Sequence, residues 1–323
     1  MADHTINMPW VSFCISTYKR PLLLKQQLES ILRQTFLNFE IVISDNDPDR
    51  SAEAVVNLIA DPRLKYFPNT ENLGMMKSFN KSIERSVAEF VITITDDDPV
   101  VQDMLEVFFN LINNYPGYGI YVGCSRVGKK EGEIEIFDNK NFLFQILSPA
   151  LTDNLLWSSC IIKKNVLLDI GGIPDYGSPH LADHAMIALC GTINGGVLIN
   201  KMYSELTAHD NNFSKGNIHL YYISCIQFYD LITKNAKQEL YIINGENALI
   251  QHLDRWFLVA MFSLKKYFTY YRKEAVTISQ IALESKKILH LSFMKHLRVR
   301  FYLKLLIFNL KKILYVFTIL VKK

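Results

Sequence analysis

Four short apolar runs in the first hundred residues, each ending in a burst of polar side chains, set the tightest limit on how this chain can fold. Trp10–Ser16 breaks into Thr17-Tyr18-Lys19-Arg20-Pro21, and Phe39–Ser44 breaks into Asp45-Asn46-Asp47-Pro48-Asp49. Leu64–Phe67 gives way to the turn Asn69–Gly74, and Phe90–Thr95 to Asp96-Asp97-Asp98-Pro99. The runs are rich in β-branched and aromatic residues, so they read as strands. Between them, Pro21 suits a first helical turn, Leu24, Leu28, Ile31 and Leu32 share a helical face, and further helices are expected over 51–59 and 75–87. Strands alternating with helices at this spacing require a mostly parallel sheet, and ligands of such sheets bind beyond the carboxyl ends of the strands. Thr17–Arg20, Asp45–Asp49 and Asp96–Asp98 should therefore meet at one edge.

Three adjacent carboxylates repel one another unless something positive joins them. A hard divalent cation that keeps some of its waters and bridges to phosphate oxygens is a suitable partner. Taken alone, the triplet is better read as a solvated turn, with Asp98 capping a helix that begins near Val101. That explanation must then hold independently at three strand ends, which favours a shared site.

The later sequence is less regular. A helix is expected over 104–113, a strand over 119–123, an exposed strand over 131–137 and a buried run over 157–162. After Gly171-Gly172, the loop Asp175–His184 leads into a helix expected over 185–192, then a strand over 197–203 and a polar loop over 206–216 that carries His209 and Lys215. Beyond Ile218 only helices are expected. With 323 residues, 49% of them hydrophobic, the chain can build one large α/β domain over 1–216 and a helical region over 217–323. Its five cysteines are far apart and lack a CxxC pair, so they read as reduced core residues and not as a disulfide frame or a zinc site. The first residues show neither a basic nor an apolar leader segment, which points to a cytoplasmic protein.

The net charge of +3 is mild, but acids concentrate in the first half and bases in the tail from Lys265 onward. The segment 298–323 is the most apolar of the chain, with Arg300, Lys304, Lys311 and Lys322 on one narrow helical face. Spanning a bilayer would place Lys311 and Lys312 near its centre, at roughly 2.5–3.5 kcal/mol each. A helix lying in the interface, with its bases toward the headgroups of an inner membrane face, is the preferred reading. Packing on the body of the protein or on a second subunit is the alternative, which leaves a homodimer open. Nucleic-acid binding by the basic, aromatic stretch 265–273 is not expected, because its context is strongly apolar.

Residues 10 to about 214 resemble a family 2 glycosyltransferase of the GT-A fold, a Rossmann-like, mostly parallel sheet flanked by helices. The resemblance is carried by Val11–Pro21, Phe39–Asp49, Asn69–Gly74 with Asn80 beyond it, Ile94–Asp98, Gly171–Tyr176 and the pair Ala182-Asp183. It implies a nucleotide-sugar donor held by Thr17, Tyr18, Arg20, Asp45, Asn46, Asn72, Gly74 and Asp96. It also implies Mn²⁺ or Mg²⁺ on Asp97 first, with Asp98 beside it and His209 as a further ligand. Asp183 matches the general base, whose single displacement would invert the anomeric centre. Where the family usually has Glu before this Asp, Ala182 stands here, and Phe79 stands where many relatives carry an Arg before the Asn. The acceptor implied is a hydroxyl of a glycan or lipid-linked oligosaccharide in surface-polysaccharide synthesis. The rivals are a nucleotidyltransferase, disfavoured because Tyr18–Pro21 lacks a glycine, and a catalytically idle nucleotide- or glycan-binding module.

Overall fold

The computed structural model describes residues 8–205, 207, 219–236, 244–270, 286–287, 289–292 and 297–321. Its centre is an eight-stranded sheet. The strands β1 (Val11–Thr17), β2 (Phe39–Asp45), β3 (Leu64–Pro68) and β4 (Phe90–Thr95) are the four apolar runs. They lie side by side in the order β3-β2-β1-β4, all parallel. The sheet continues through β9 (Cys160–Lys163), β5 (Ile120–Gly123), β10 (Gly196–Ile199) and β7 (Ile134–Phe137). β9 runs antiparallel to both of its neighbours, and β7 closes the edge antiparallel to β10. A separate two-stranded ribbon joins β6 (Ser125–Arg126) to β8 (Thr152–Asn154).

Strands β1, β2 and β4 are buried on both faces, which is why they read as unbroken apolar runs, whereas β3 at the sheet edge is only partly covered. In β1, Phe13 and Ile15 join one core, formed with α1 (Pro21–Leu32), α2 (Glu53–Ile59) and α4 (Met104–Asn114). Cys14 between them faces the other core, with α3 (Met75–Arg85), α5 (Phe142–Leu147), α6 (Lys164–Asp169) and α7 (Ala182–Asn194). Alternate side chains along one strand thus serve two layers.

Helix α8 (His219–Asn235) and the long helix Gly245–Tyr270 add Tyr221, Cys225, Phe228, Leu249, Leu253 and Phe257 to this second core. The C-terminal helix Leu297–Val321 meets it through Phe301 and Leu305. Where α5 crosses α7, the Phe142 ring lies on Gly191 and Gly196. A Cβ at either glycine would overlap that ring.

The run expected to be buried over 157–162 is buried; it opens as a 3₁₀ turn, Trp157–Ser159, with Trp157 on Phe79 at 4.8 Å and the Ser159 hydroxyl accepting from the Tyr203 N–H at 2.9 Å. Two local expectations are corrected. Helix α7 begins at Ala182, so Asp183 and His184 lie in its first turn and not in the preceding loop. Leu181 makes this possible by taking the left-handed conformation, φ 64°, with its carbonyl accepting from Ala185 N–H at 2.9 Å. Finally, α4 starts at Met104 with Asp103 at the cap position, so Asp98 does not cap it.

Candidate functional site

The parallel register sets Thr17 beside Asp45 on one side, and Ser16 beside Thr95 on the other. The next residues out of β1 and β4 therefore emerge together. The Thr17 hydroxyl donates to Asp96 Oδ2 at 2.8 Å. Lys19 turns the chain at φ 56°, and Arg20 Nη1 reaches both Asp96 Oδ1 at 3.2 Å and Asp97 Oδ2 at 3.1 Å. Burial pushes the Asp96 carboxyl up to about 6, with Thr17 and Arg20 opposing and Asp97 adding to the rise. Burial likewise pushes Asp98 up to about 6, helped by the neighbouring charges of Asp97 and Asp183. A carboxylate that holds protons this tightly marks a place where further positive charge is welcome.

The second and third strand ends form a braced turn. Asn46 Nδ2 donates to Asn72 Oδ1 at 2.7 Å, and Leu73 N–H donates to Asn46 Oδ1 at 2.9 Å. Asn72 Oδ1 also accepts from Gly74 N–H at 2.9 Å, and Gly74 opens α3 at φ 81°, a conformation glycine takes without strain. Asp45, expected against the nucleoside, is held from behind. It is fully buried, accepts from the N–H groups of Asp47 and Ala52 and from the Tyr66 hydroxyl, and so fixes the turn behind the site. At the end of β2 its side chain turns toward Ala52 and Tyr66, a direction the sequence run did not reveal.

Two cavities open on this edge. The first, about 280 Å³, is lined by Thr17, Tyr18, Asn46, Asn72, Gly74 and Asp96 among others. The second, about 340 Å³, is lined by Asp97, Asp98, Trp157, His180, Asp183 and Trp256 among others. Arg20, Met75 and Thr95 line both, so the two are continuous. Asp97, Asp98 and Asp183 thus share one cavity, as three strand-end and helix-end carboxylates. Among the described residues no group of three His, Cys, Asp or Glu closes into a complete metal shell. Asp97, engaged by Arg20, and Asp98 line the same cavity, where a small hard cation that keeps waters and bridges to diphosphate oxygens would need only one or two carboxylates. His209 and Lys215 lie outside the described residues.

Several lining residues lie outside the quoted motifs, His180 within the segment 176–181 expected on the acceptor side. His184 Nδ1 lies 2.9 Å from His252 Nε2, and its Nε2 is 3.9 Å from Asp183 Oδ2. Burial holds His252 well below the ordinary histidine range. His180 stacks on Tyr221 at 4.2 Å, and burial lowers it to about 4. His252 and Trp256 come from the long helix, some seventy residues after Asp183, and belong to no motif. The quoted motifs do meet at one further point: Asn80 exchanges hydrogen bonds with the backbone of Ile173 at 2.8 and 2.9 Å, tying α3 to the glycine turn before Asp183.

The sequence profile of glycosyl transferase family 2 matches residues 12–165. A Campylobacter jejuni GalNAc(5)-diNAcBac-PP-undecaprenol beta-1,3-glucosyltransferase is 30% identical over 130 residues, which cover 39% of this chain and 41% of that protein. The chain therefore aligns with well under half the length of that relative. Among solved structures, TarS from S. aureus in complex with UDP-GlcNAc superposes with a TM-score of 0.61 at 17% identity, covering 86% of this chain and 78% of that one. A mannosyltransferase from Pyrobaculum calidifontis in complex with GDP-Man and Mn²⁺ gives 0.56 at 15% identity, covering 92% and 85%. At such identities the likeness is one of fold. With the matching profile, the parallel strand ends and the acid cluster taken together, residues 12–165 match glycosyl transferase family 2, in a chain with the GT-A fold.

Proposed function

We propose that this protein transfers a sugar, with inversion, from a nucleotide-sugar donor to a hydroxyl of a glycan or lipid-linked oligosaccharide, in the synthesis of a surface polysaccharide. The observation that carries the reading is the single cavity in which Asp97 and Asp98 face Asp183, continuous with a second cavity lined by Thr17, Asn46 and Asn72. The relative from Campylobacter, named for a polyprenol-diphosphate oligosaccharide, supports the acceptor class.

In this reading Thr17, Tyr18, Asn46 and Asn72 surround the nucleoside, and Arg20 reaches the diphosphate from between the two cavities. Asp97 and Asp98 would hold Mn²⁺ or Mg²⁺, which when bound stabilises the charge that develops on the departing diphosphate. Asp183 accepts the proton of the acceptor hydroxyl as that oxygen attacks the anomeric carbon. Its place in the first turn of α7 fixes it to a rigid element, and the buried wall of Trp157 and Leu181 limits water on that side.

Membrane association is proposed for the C-terminal helix. Val299, Tyr302, Leu303, Leu306, Leu310 and Ile313 form one exposed apolar stripe, flanked by Arg300, Lys304 and Lys311 and opposite the inward-facing Phe301 and Leu305. That pattern suits a helix lying in the headgroup region of an anionic bilayer. Among the described residues no helix is long and apolar enough to cross a membrane.

Thermal unfolding with UDP, dTDP, CDP and GDP, each with and without Mn²⁺, tests the donor site. A ligand that binds only the folded state raises the melting temperature by mass action. One nucleotide should stabilise the protein in a manner that requires both Mn²⁺ and Asp97, and Asp97→Asn should abolish the shift. If no nucleotide stabilises it, the transferase reading fails.

A further inference from the structure

A third cavity, about 190 Å³, opens beside the one that holds Asp183 and has no part in the chemistry described above. Its lining includes Asp153, Asn154, His252, Arg255 and Val259. His184 and Trp256 line both this cavity and the one with Asp183, whereas the third cavity and the one around Asn46 share no lining residue among those described. The three therefore lie in a row, in the order nucleoside cavity, reaction cavity, third cavity. A molecule seated in the reaction cavity on the side away from the donor therefore has the third cavity beside it.

The third cavity is furnished for a neutral sugar. Trp256 offers an indole ring held rigid from behind, stacked on Tyr221 at 5.3 Å and 28°, which in turn stacks on His180. Flat aromatic faces pack against the C–H faces of a pyranose. At the rim, Arg255 Nη2 donates to Asp153 Oδ1 at 2.7 Å and its Nη1 to the Pro149 carbonyl at 3.0 Å. Both charged side chains remain partly solvent-exposed, so each can also meet vicinal hydroxyls, one as donor and the other as acceptor. An anionic group fits this place poorly, since Asp153 already neutralises Arg255 and would repel a phosphate.

We infer that the third cavity is an acceptor subsite for the uncharged pyranose next to the one that is glycosylated, so that the acceptor recognised is at least a disaccharide. This rests on the transferase reading and adds to it the minimum length of the acceptor and the residues that measure it.

Saturation-transfer NMR on the full chain with the stabilising nucleotide and Mn²⁺ tests the subsite. The probes are the methyl glycosides of glucose, galactose, N-acetylglucosamine and N-acetylgalactosamine, together with their β-linked disaccharides. At least one disaccharide should receive saturation on both rings and bind about tenfold more tightly than either of its component monosaccharides. Trp256→Ala should erase the signal from one ring only. Asp153→Asn, at an exposed position that the fold tolerates, should weaken the disaccharide several-fold and leave the monosaccharide unchanged. Saturation confined to one ring in every disaccharide, equal losses for mono- and disaccharide, or no saccharide binding while the nucleotide still raises the melting temperature would each overturn the subsite and leave the transferase reading standing. Loss of the nucleotide shift itself would overturn both.

Discussion

His180 offers a direct test of how the reaction cavity is built. Its ring lies between Tyr221 and the cavity wall, and burial lowers it from 6.5 to about 4. In the unfolded chain the same imidazole titrates at its ordinary value, so between those two points the unfolded state binds more protons than the folded one. Stability then rises with pH across that window: the contribution of neutral His180 is complete above pH 6.5 and is lost progressively as the pH falls toward 4. At pH 5, integrating over that gap gives a loss on the order of 2 kcal/mol, or about 3 °C in melting temperature for a protein of this size. His180→Phe keeps the aromatic stack and removes the titration. Melting temperatures of the two proteins, compared at pH 7.5 and pH 5 in EDTA, should show a smaller acid loss in the variant by about that amount. Other titrating groups, His252 among them, are common to both proteins and cancel in the comparison. Equal acid losses would refute the idea that this imidazole is held neutral by its surroundings.

Other consequences follow from the same geometry. Asp183→Asn should lower kcat by about a thousandfold or more while leaving the Mn²⁺-dependent nucleotide shift in melting temperature intact; a variant that turns over normally would remove Asp183 from the chemistry, and an equally inactive wild type that binds nucleotide would favour the idle binding module. Gly191→Ala drives a methyl group into the buried Phe142 ring and should cost about 1–3 kcal/mol of stability, read from urea unfolding. Leu306→Glu with Leu310→Glu places two carboxylates on the exposed stripe of the C-terminal helix. Sedimentation with vesicles containing anionic lipid should then recover at least tenfold less protein than wild type, and unchanged recovery would argue for a protein partner on that face.

Sequence alone determined the layout of the first hundred residues. Three of the four apolar runs are buried on both faces and the fourth pairs at the edge, a parallel sheet with crossover helices accommodates them, and the polar ends of β1 and β4 had to emerge together. The Thr17–Asp96 and Arg20–Asp96 contacts are the direct result of that register. Side-chain direction at the strand ends was not legible: Asp45 and Asp96 both close apolar runs, yet Asp45 is sealed inward by three donors while Asp96 lines a cavity. The start of α7 was hidden because polar residues in its first turn interrupt the apolar period, and because a left-handed Leu181 is dictated by its buried surroundings and not by its own preference.

Tertiary structure decided the far side of the reaction cavity. Local periodicity records which residues a helix buries, but not what it is buried against. His252, Arg255 and Trp256 look like ordinary positions of a long amphipathic helix, and acquire a role only because that helix packs on α5 and alongside α8, beside Asp183. The cavity at the ends of β1, β2 and β4 is local to those strand ends and is written in contiguous motifs. The third cavity is assembled from segments about a hundred residues apart, such as Asp153 and Arg255, and no one-dimensional pattern holds that distance.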